Sequence, residues 1–573
     1  MRCAPFVQSR VGGANKGGIT MGKMMIYAYL PRLFRSVKEQ LTVGGNYETN
    51  GSGKFADMDQ AALAKLRALG FNCIWAIGVL RHASRCAFPN EQIEADPAPT
   101  VKGEAGSPYA VTDYFDVAPY LAEDAAHRMD EFDALTERCH RAGMKLIIDF
   151  VPNHVARTYH SLSHEDFGLH DDRSVPFARD NHFYWLPGEQ LVLHGTPDYV
   201  EQPARATGND RFTTAIGPND WYETVKLNYG IDYTKQPPEH HFEPIPATWH
   251  AMKEVLLFWA KRGVDGFRCD MAEMVPVAFW RWVIPQIKKE RDILFIAEIY
   301  QTALYREFVQ AGFDYLYDKV GLYDTLMAVS KGNCPAGALA AAIEAQSGIR
   351  ANMLYFLENH DEVRLAAPQG LGSASAALPA LAVALYAGGN PYMHYFAQAL
   401  SERADRSSGY SGGEGRTSIY DFTRIPSLSN WIKGKYTTQY LGAEERYTLE
   451  RYTAMLRHAA HREVVSSGQY YYLPPDTYRV EAGNANGLFL FLRHNATEVL
   501  LTVANFAAEP ASLSLRWPMH FLDLLGVGEG ERVALPIDLR HDTTLPYASI
   551  SAFAPFRVAV QGHDFALLHF LLQ

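Results

Sequence analysis

Arg268 and Asp270 close the stretch Gly263-Val-Asp-Gly-Phe-Arg-Cys-Asp270, and their spacing is the first chemical signal in this chain. Residues two apart on a strand point to the same face, so the guanidinium and the carboxylate project together. An adjacent cation keeps a carboxylate ionised and fixes its orientation. At the C-terminal end of a parallel strand, such a carboxylate is placed to act as a nucleophile. An Arg-x-Asp pair is also a common structural pairing, and its company decides between the two readings. Asp149-Phe-Val-Pro-Asn153-His154 closes the run Lys145-Leu-Ile-Ile, and Glu298 closes Ile293-Leu-Phe-Ile-Ala. Asn359-His360-Asp361 follows Met353-Leu-Tyr-Phe-Leu-Glu. Carboxylates and histidines gathered at strand ends are the equipment of nucleophilic and general acid–base catalysis.

The elements that must position these groups follow a βα rhythm. Met24 to Phe34 reads as a first buried strand, Asp57 to Leu69 as a helix stopped by Gly70, and Phe71 to Gly78 as the second strand. A helix from Asp130 to Ala142 precedes the third strand, Lys145 to Val151. A helix from Ala247 to Arg262 leads into the Asp270 strand, and one from Phe279 to Lys289 into the Glu298 strand. Phe313 to Tyr317, Met353 to Leu357 and Pro391 to Phe396 supply the last strands, with helices at Ala336 to Gln346, Ala374 to Tyr386 and Arg446 to His461. Strands and helices alternating with short glycine stops imply a parallel sheet. The expected fold is α/β, and the stretch after the third strand, 155–235, breaks the rhythm: so long a segment is either functional or a small inserted domain. From 466 to 573 the texture changes to short alternating runs, an antiparallel β-sandwich of about 100 residues. Residues 1–23 are Gly-rich and polar, lack an apolar core, and read as a disordered leader rather than a secretory signal.

The four strand-end segments, in this order and at a barrel's spacing, resemble the signature segments of the α-amylase superfamily of retaining glycoside hydrolases (family 13 type). The resemblance extends from Met24 to the C-terminus. It implies Asp270 as nucleophile, Glu298 as acid/base and Asp361 as a third carboxylate that hydrogen-bonds hydroxyls of the distorted sugar. The push that raises the Glu298 pKa is expected from the two nearby carboxylates. His154 and His360 would hydrogen-bond ring hydroxyls, Asp149 would brace Arg268, and Asn153 would sit at the junction of barrel and insert. Tyr109, in Gly106-Ser-Pro-Tyr-Ala-Val-Thr-Asp113-Tyr114, would lie against the sugar at the cleavage point; a packed loop tyrosine is the alternative. The resemblance further implies a (β/α)8 TIM barrel over residues 24–154 and 236–465, with an irregular domain inserted after the third strand at 155–235 that would form one wall of the cleft.

Four positions depart from the family pattern. The segment Trp221-Tyr-Glu-Thr-Val-Lys226-Leu-Asn228 carries lysine where an aspartate calcium ligand is usual, and Met274 stands where a histidine is usual. A lysine ammonium cannot ligate calcium but can neutralise the same neighbours, so neither a structural calcium nor any other metal or cofactor is expected. Glu273 replaces a frequent lysine on the aglycone side; alternatively it is a first-turn glutamate favoured by the helix dipole. Ala110 follows Tyr109 where enzymes acting on chain ends usually have aspartate, which favours an enzyme that does not require a chain end. The expected activity is hydrolysis of α-1,4 links in starch, glycogen or malto-oligosaccharides. The alternatives are a transglycosylase or glucoside phosphorylase on the same fold, and a non-catalytic glucan-binding relative.

Composition bounds the rest. A chain of 573 residues exceeds one compact core, and 47% hydrophobic with 20% charged residues is an ordinary globular balance. A net charge of -11 argues against nucleic-acid or anionic-membrane partners and is neutral toward an oligo- or polysaccharide. No run reaches the roughly 18 apolar residues that would span a bilayer. Cys3, Cys73, Cys86, Cys139, Cys269 and Cys334 show no metal-ligand spacing, and unpaired thiols suggest a reducing, cytoplasmic setting.

Overall fold

Eight short parallel strands close into a barrel, and the groups singled out above sit at or just beyond their C-terminal ends. The structure, a computed structural model, describes residues 22–35, 38, 40–405, 412–526 and 555–572, with the backbone of four two-residue strands between 533 and 549. Cys3 and most of the proposed leader lie outside the described residues. The strands are β1 (Met25–Tyr29), β2 (Cys73–Ala76), β3 (Lys145–Phe150), β4 (Gly266–Cys269), β5 (Leu294–Ala297), β6 (Tyr315–Tyr317), β7 (Met353–Phe356) and β8 (Tyr392–Tyr395). Each pairs with its chain neighbours, and β1 closes the ring against β8. All but a few of their residues are buried, which is why the strands read as near-continuous apolar runs.

The sequence places these elements to within a few residues, and the differences have local causes. The run Met24 to Phe34 divides at Pro31, which cannot donate to a ladder and instead opens a helical turn, Pro31–Phe34. Helix α1 (Gln60–Ala68) starts later than expected because Asp59 caps it, accepting the Ala62 N–H at 2.8 Å. The stop at Gly70 stands, with φ at +102°. Lys23 belongs with the folded chain rather than with a leader: it is buried and donates to the carbonyls of Leu385 and Gly388 at 2.6 and 2.8 Å.

Helices α2 (Arg128–Arg141), α3 (Ala247–Lys261), α4 (Val277–Glu290), α5 (Tyr305–Ala311), α6 (Asp324–Ser330), α7 (Ala338–Ala345), α8 (Leu378–Tyr386) and α9 (Ala443–His461) belong to the barrel portion of the chain. The insert leaves and rejoins the barrel through an antiparallel ribbon, His154–Ala156 against Thr224–Lys226, which sets His154 directly opposite Lys226. Its own apolar cluster is small, and Arg157, Glu201 and Arg205 form a buried ionic knot within it. The two guanidinium groups overcome the burial of Glu201 and hold its carboxyl at about 2. The C-terminal part is two-layered. One sheet contains β9 (Gln469–Tyr472), β11 (Leu488–His494), β12 (Glu498–Asn505) and β15 (Asp564–Leu571), extended by Ile537–Asp538 and Thr543–Thr544. The other contains β10 (Tyr478–Ala482), β13 (Ala511–Leu515) and β14 (Phe556–Val560), and an apolar core fills the space between them. Among the described residues no helix is long and apolar enough to cross a membrane.

Candidate active site

Arg268 is the hub of the site. Its side chain is 1% exposed, inside the barrel, and its position on β4 is paired with Asp149 on β3. One terminal nitrogen donates to Asp270 Oδ1 at 2.6 Å and lies 3.6 Å from Asp149 Oδ1; the other lies 2.7 Å from Glu298 Oε1. Asp149 is itself anchored by the Gly78 N–H at 3.0 Å. Trp75, Tyr109 and Tyr317 surround the guanidinium, with ring centroids 5.4, 5.2 and 5.5 Å from its central carbon. Three carboxylates and three rings thus fix one arginine. Trp75 and Tyr317 were not singled out by sequence; their signal is an aromatic at or near the end of a barrel strand, a common core pattern.

Glu298 lies just beyond β5. Its Oε2 accepts the Met271 N–H at 2.8 Å, and its Oε1 accepts the Tyr300 hydroxyl at 2.8 Å. Met271, next to Asp270, adopts the left-handed conformation (φ +42°), and its N–H points to Glu298. Burial raises the Glu298 pKa to about 7, with Asp270 and Asp361 adding to the rise and Arg268 opposing it. The push therefore comes first from desolvation and only second from the neighbouring carboxylates, which reverses the emphasis expected from sequence. Burial likewise raises Asp270 above the ordinary aspartate range, against the pull of Arg268. Glu273 is a loop anchor: its carboxylate accepts the N–H groups of Tyr300 and Gln301 at 3.0 and 2.8 Å, holding Tyr300 against the acid/base candidate.

The loop after β7 presents His360 and Asp361. The Asn359 side chain accepts the N–H groups of Asp361 and Glu362 at 2.8 and 3.0 Å, shaping the turn. A buried Arg364–Glu358 pair, 2.9 Å apart, clamps the loop's base. His360 Nε2 is 3.0 Å from Asp361 Oδ2 and 2.6 Å from the Tyr109 hydroxyl, and its ring stacks on Tyr109 with centroids 5.2 Å apart. Burial works to raise Asp361, but the charges of His360 and Arg268 prevail and hold it at about 2; its side chain is 45% exposed to the cleft, so water screens part of that attraction. His154 lies on the other side of the cavity. Burial, helped by the charge of Lys226, lowers its pKa to about 3, so it is neutral and free to exchange hydrogen bonds with hydroxyls.

A cavity of about 250 Å³ lies over these groups, lined by Tyr109, His154, Asp270, Glu298 and Asp361. Of the residues expected at the site, Tyr109, His154, Asp270, Glu298 and Asp361 line this cavity, while the buried His360, Arg268, Asp149 and Asn153 lie behind them and contact them or their partners. Ser107, Thr224, Met271 and Ile419 also line it, as do Lys102, Trp221, Glu223, Tyr300 and Tyr420. Sequence offered little to find them: they lie on loops, where no period marks the inward face.

At the junction of barrel and insert, the Lys226 ammonium is buried and meets three oxygens. It is 2.7 Å from Asn153 Oδ1, 2.6 Å from Asp210 Oδ1 and 3.5 Å from the Met274 carbonyl. Among the described residues, no group of three or more His, Cys, Asp or Glu side chains is arranged to hold a metal ion.

The α-amylase catalytic-domain family matches residues 60–395. The α-amylase MalA of Haloarcula japonica is 30% identical over 337 residues, covering 56% of this chain and 39% of that protein. The α-1,4-glucan:maltose-1-phosphate maltosyltransferase of Mycolicibacterium smegmatis is 26% identical over 273 residues, covering 45% of this chain and 30% of its own length. The chain therefore spans well under half the length of both relatives. A maltogenic α-amylase of Thermotoga neapolitana superposes with a TM-score of 0.62 at 18% identity, over 96% of this chain and 99% of that one. At that identity the likeness is one of fold.

Proposed function

This chain belongs to the α-amylase family, and from that premise we propose that it is a glycosidase that hydrolyses α-1,4-glucosidic bonds of starch, glycogen or malto-oligosaccharides with retention of configuration. The observation that carries the reading is the single guanidinium of Arg268 shared between Asp270 and Glu298. Retaining enzymes need their two carboxyl groups about 5–5.5 Å apart, closer than inverting ones, and a shared cation favours such closeness. Asp270 attacks the anomeric carbon while Glu298, protonated, gives its proton to the departing glycosidic oxygen. A glycosyl ester on Asp270 results. Glu298, now a carboxylate, takes a proton from water, which attacks the anomeric carbon and frees Asp270. Asp361 and His360 hydrogen-bond hydroxyls of the flattened ring, and these bonds strengthen in the transition state.

Transfer of the glycosyl group to another sugar or to phosphate uses the same three carboxyl groups, and the similarity to a maltosyltransferase keeps that reading in view. A non-catalytic relative is disfavoured because Asp270, Glu298 and Asp361 all line the cavity. No calcium serves the junction of barrel and insert: Asn153, Asp210 and the Met274 carbonyl are oxygens of the type calcium takes, but the Lys226 ammonium holds them. The unpaired thiols of Cys73, Cys86, Cys139 and Cys269, all buried, support a cytoplasmic setting.

The test is a time course on maltoheptaose, with products separated by length and anomers followed by NMR, beside Asp270→Asn. Shorter products, first released as α-anomers and absent with the variant, are the expected outcome. Products longer than the substrate would move the assignment to transglycosylation. Inertness of the unmodified enzyme toward every α-glucan tried would sink the proposal.

A further inference from the structure

The cavity over Asp270 is walled at one end by three segments from distant parts of the chain. Lys102 and Gly103 come from the connection after β2, Glu223 from the last turn of the insert, and Tyr420 from the connection after β8. They are tied together. The Ala105 N–H donates to the Tyr420 carbonyl at 2.9 Å. Gly103, at φ +65°, is pressed so close that a side chain there would meet that carbonyl oxygen at 2.3 Å. Lys102 Nζ lies 2.9 Å from Glu223 Oε1 and 5.1 Å from the centroid of the Tyr222 ring. The Glu223 carbonyl in turn accepts the Arg157 N–H at 3.0 Å, which fastens the pair to the insert.

The ion pair is well shielded, with side chains 11% and 5% exposed, and both residues line the cavity. A buried ion pair contributes little net stability, because desolvation offsets the attraction. This one also leaves hydrogen-bonding capacity unused: Glu223 Oε2 is buried without a partner, and an ammonium carries three donors. Its net charge is zero, which suits the hydroxyls of a neutral sugar rather than a phosphate or carboxylate. The leaving-group side of the bond is marked by Glu298 with Tyr300 and Met271, and no hydrogen bond joins the Lys102–Glu223 wall to them. The wall is instead on the His154 side of the cavity: Lys102 is near enough for its charge to act on His154, and Trp221, two residues before Glu223, packs its ring 5.2 Å from that of His154. The cavity, at about 250 Å³, is smaller than the roughly 300–1,000 Å³ of pockets that enclose drug-sized ligands.

We propose that Lys102 and Glu223 close the glycone end of the cleft and grip the hydroxyls of the terminal, non-reducing glucosyl unit, so that the enzyme acts from chain ends. This rests on the glycosidase reading of the site given above and is opposite to the expectation from Ala110. Two substrates test it: 4-nitrophenyl α-maltoheptaoside with a free non-reducing end, and the same compound with its terminal 4,6-diol blocked as an acetal. The unmodified enzyme should take the first and process the blocked one at least about tenfold more slowly in kcat/KM, the loss expected when a charge-assisted hydrogen bond cannot form. Lys102→Met should raise KM for the free-ended compound by about tenfold, with Lys102→Arg recovering part of it. Equal turnover of the two compounds by the unmodified enzyme would overturn the closed end while leaving the glycosidase assignment intact. An unchanged KM in a folded Lys102→Met would overturn the grip. Turnover of neither compound would remove the assignment itself, and the closed end with it.

Discussion

Glu298 sets the upper pH limit of this site. In the proposed mechanism it must carry a proton to assist departure, and burial with two neighbouring carboxylates lifts its pKa to about 7. Because the folded-state value is raised, the working, protonated form persists below that value and is lost as pH rises through it. The kcat/KM profile should therefore fall on its alkaline side with an apparent pKa near 7. Its acid side should lie above the ordinary aspartate range, since Asp270 must ionise and burial raises it. Tyr300 tunes the upper limb. Its hydroxyl donates to Glu298 Oε1 at 2.8 Å, a bond that favours the charged form. Tyr300→Phe should move the alkaline limb upward, while a purely packing role for the ring would leave the profile in place. Glu298→Gln should cost about 10²–10⁴ in kcat and abolish the alkaline limb altogether.

At the scale of elements, the ribbon that ties the insert to the barrel depends on one ammonium. Lys226, opposite His154, joins Asn153 of the barrel, Asp210 of the insert and the Met274 carbonyl beyond Asp270. Burial lowers its pKa and the Asp210 carboxylate restores part of it. Lys226→Met should lower stability by about 1–3 kcal/mol, by stranding those oxygens, whereas a chelator should leave the melting temperature of the unmodified enzyme unchanged. Lys226→Asp should acquire a melting temperature that rises with added calcium, because it exchanges a cation for a ligand. A calcium-dependent melting temperature in the unmodified enzyme would show this account of the ribbon to be wrong. Lys226 also shows what the sequence can and cannot disclose. Its identity, set against the pattern of its segment, announced a missing ligand; its three partners came from Asn153, Asp210 and Met274, which only folding brings together. The barrel strands were legible for a similar reason: strands buried on both faces are apolar throughout, and glycines stop the helices between them. Arg268 and Asp270 were legible because two residues of a strand share a face. Lys102, Glu223, Tyr300 and Tyr420 were not, since loop side chains follow no period and acquire their roles from tertiary contact. The order of causes behind the Glu298 pKa was likewise hidden, because burial is a property of the whole barrel mouth.

At the scale of the whole molecule, α8, whose nine residues are all buried, lies between the barrel and the C-terminal sheet. A helix apolar all round must be covered on every side. Here the barrel covers one side and β12 and β15 of the C-terminal sheet cover another, while Lys23 caps the helix end through the Leu385 and Gly388 carbonyls. The same seam carries the Arg451–Asp564 pair, 2.6 Å apart with side chains 17% and 9% exposed, joining α9 to β15. None of these groups lines the catalytic cavity. The C-terminal sheet is therefore a cover for the barrel's own core, and its loss should act on folding rather than on chemistry. A chain ending at residue 466 would expose the outer face of α8 and should aggregate instead of giving a soluble, active barrel. The finer test separates stability from catalysis: Asp564→Asn leaves a mostly buried arginine without its counter-charge and should cost about 1–3 kcal/mol, between the values for exposed and fully buried pairs. Denaturant unfolding should register that loss, with KM and kcat at moderate temperature unchanged. A change in KM without a change in stability would mean that the seam reports to the active site, and the C-terminal sheet would then have to be counted among the parts that shape the cleft.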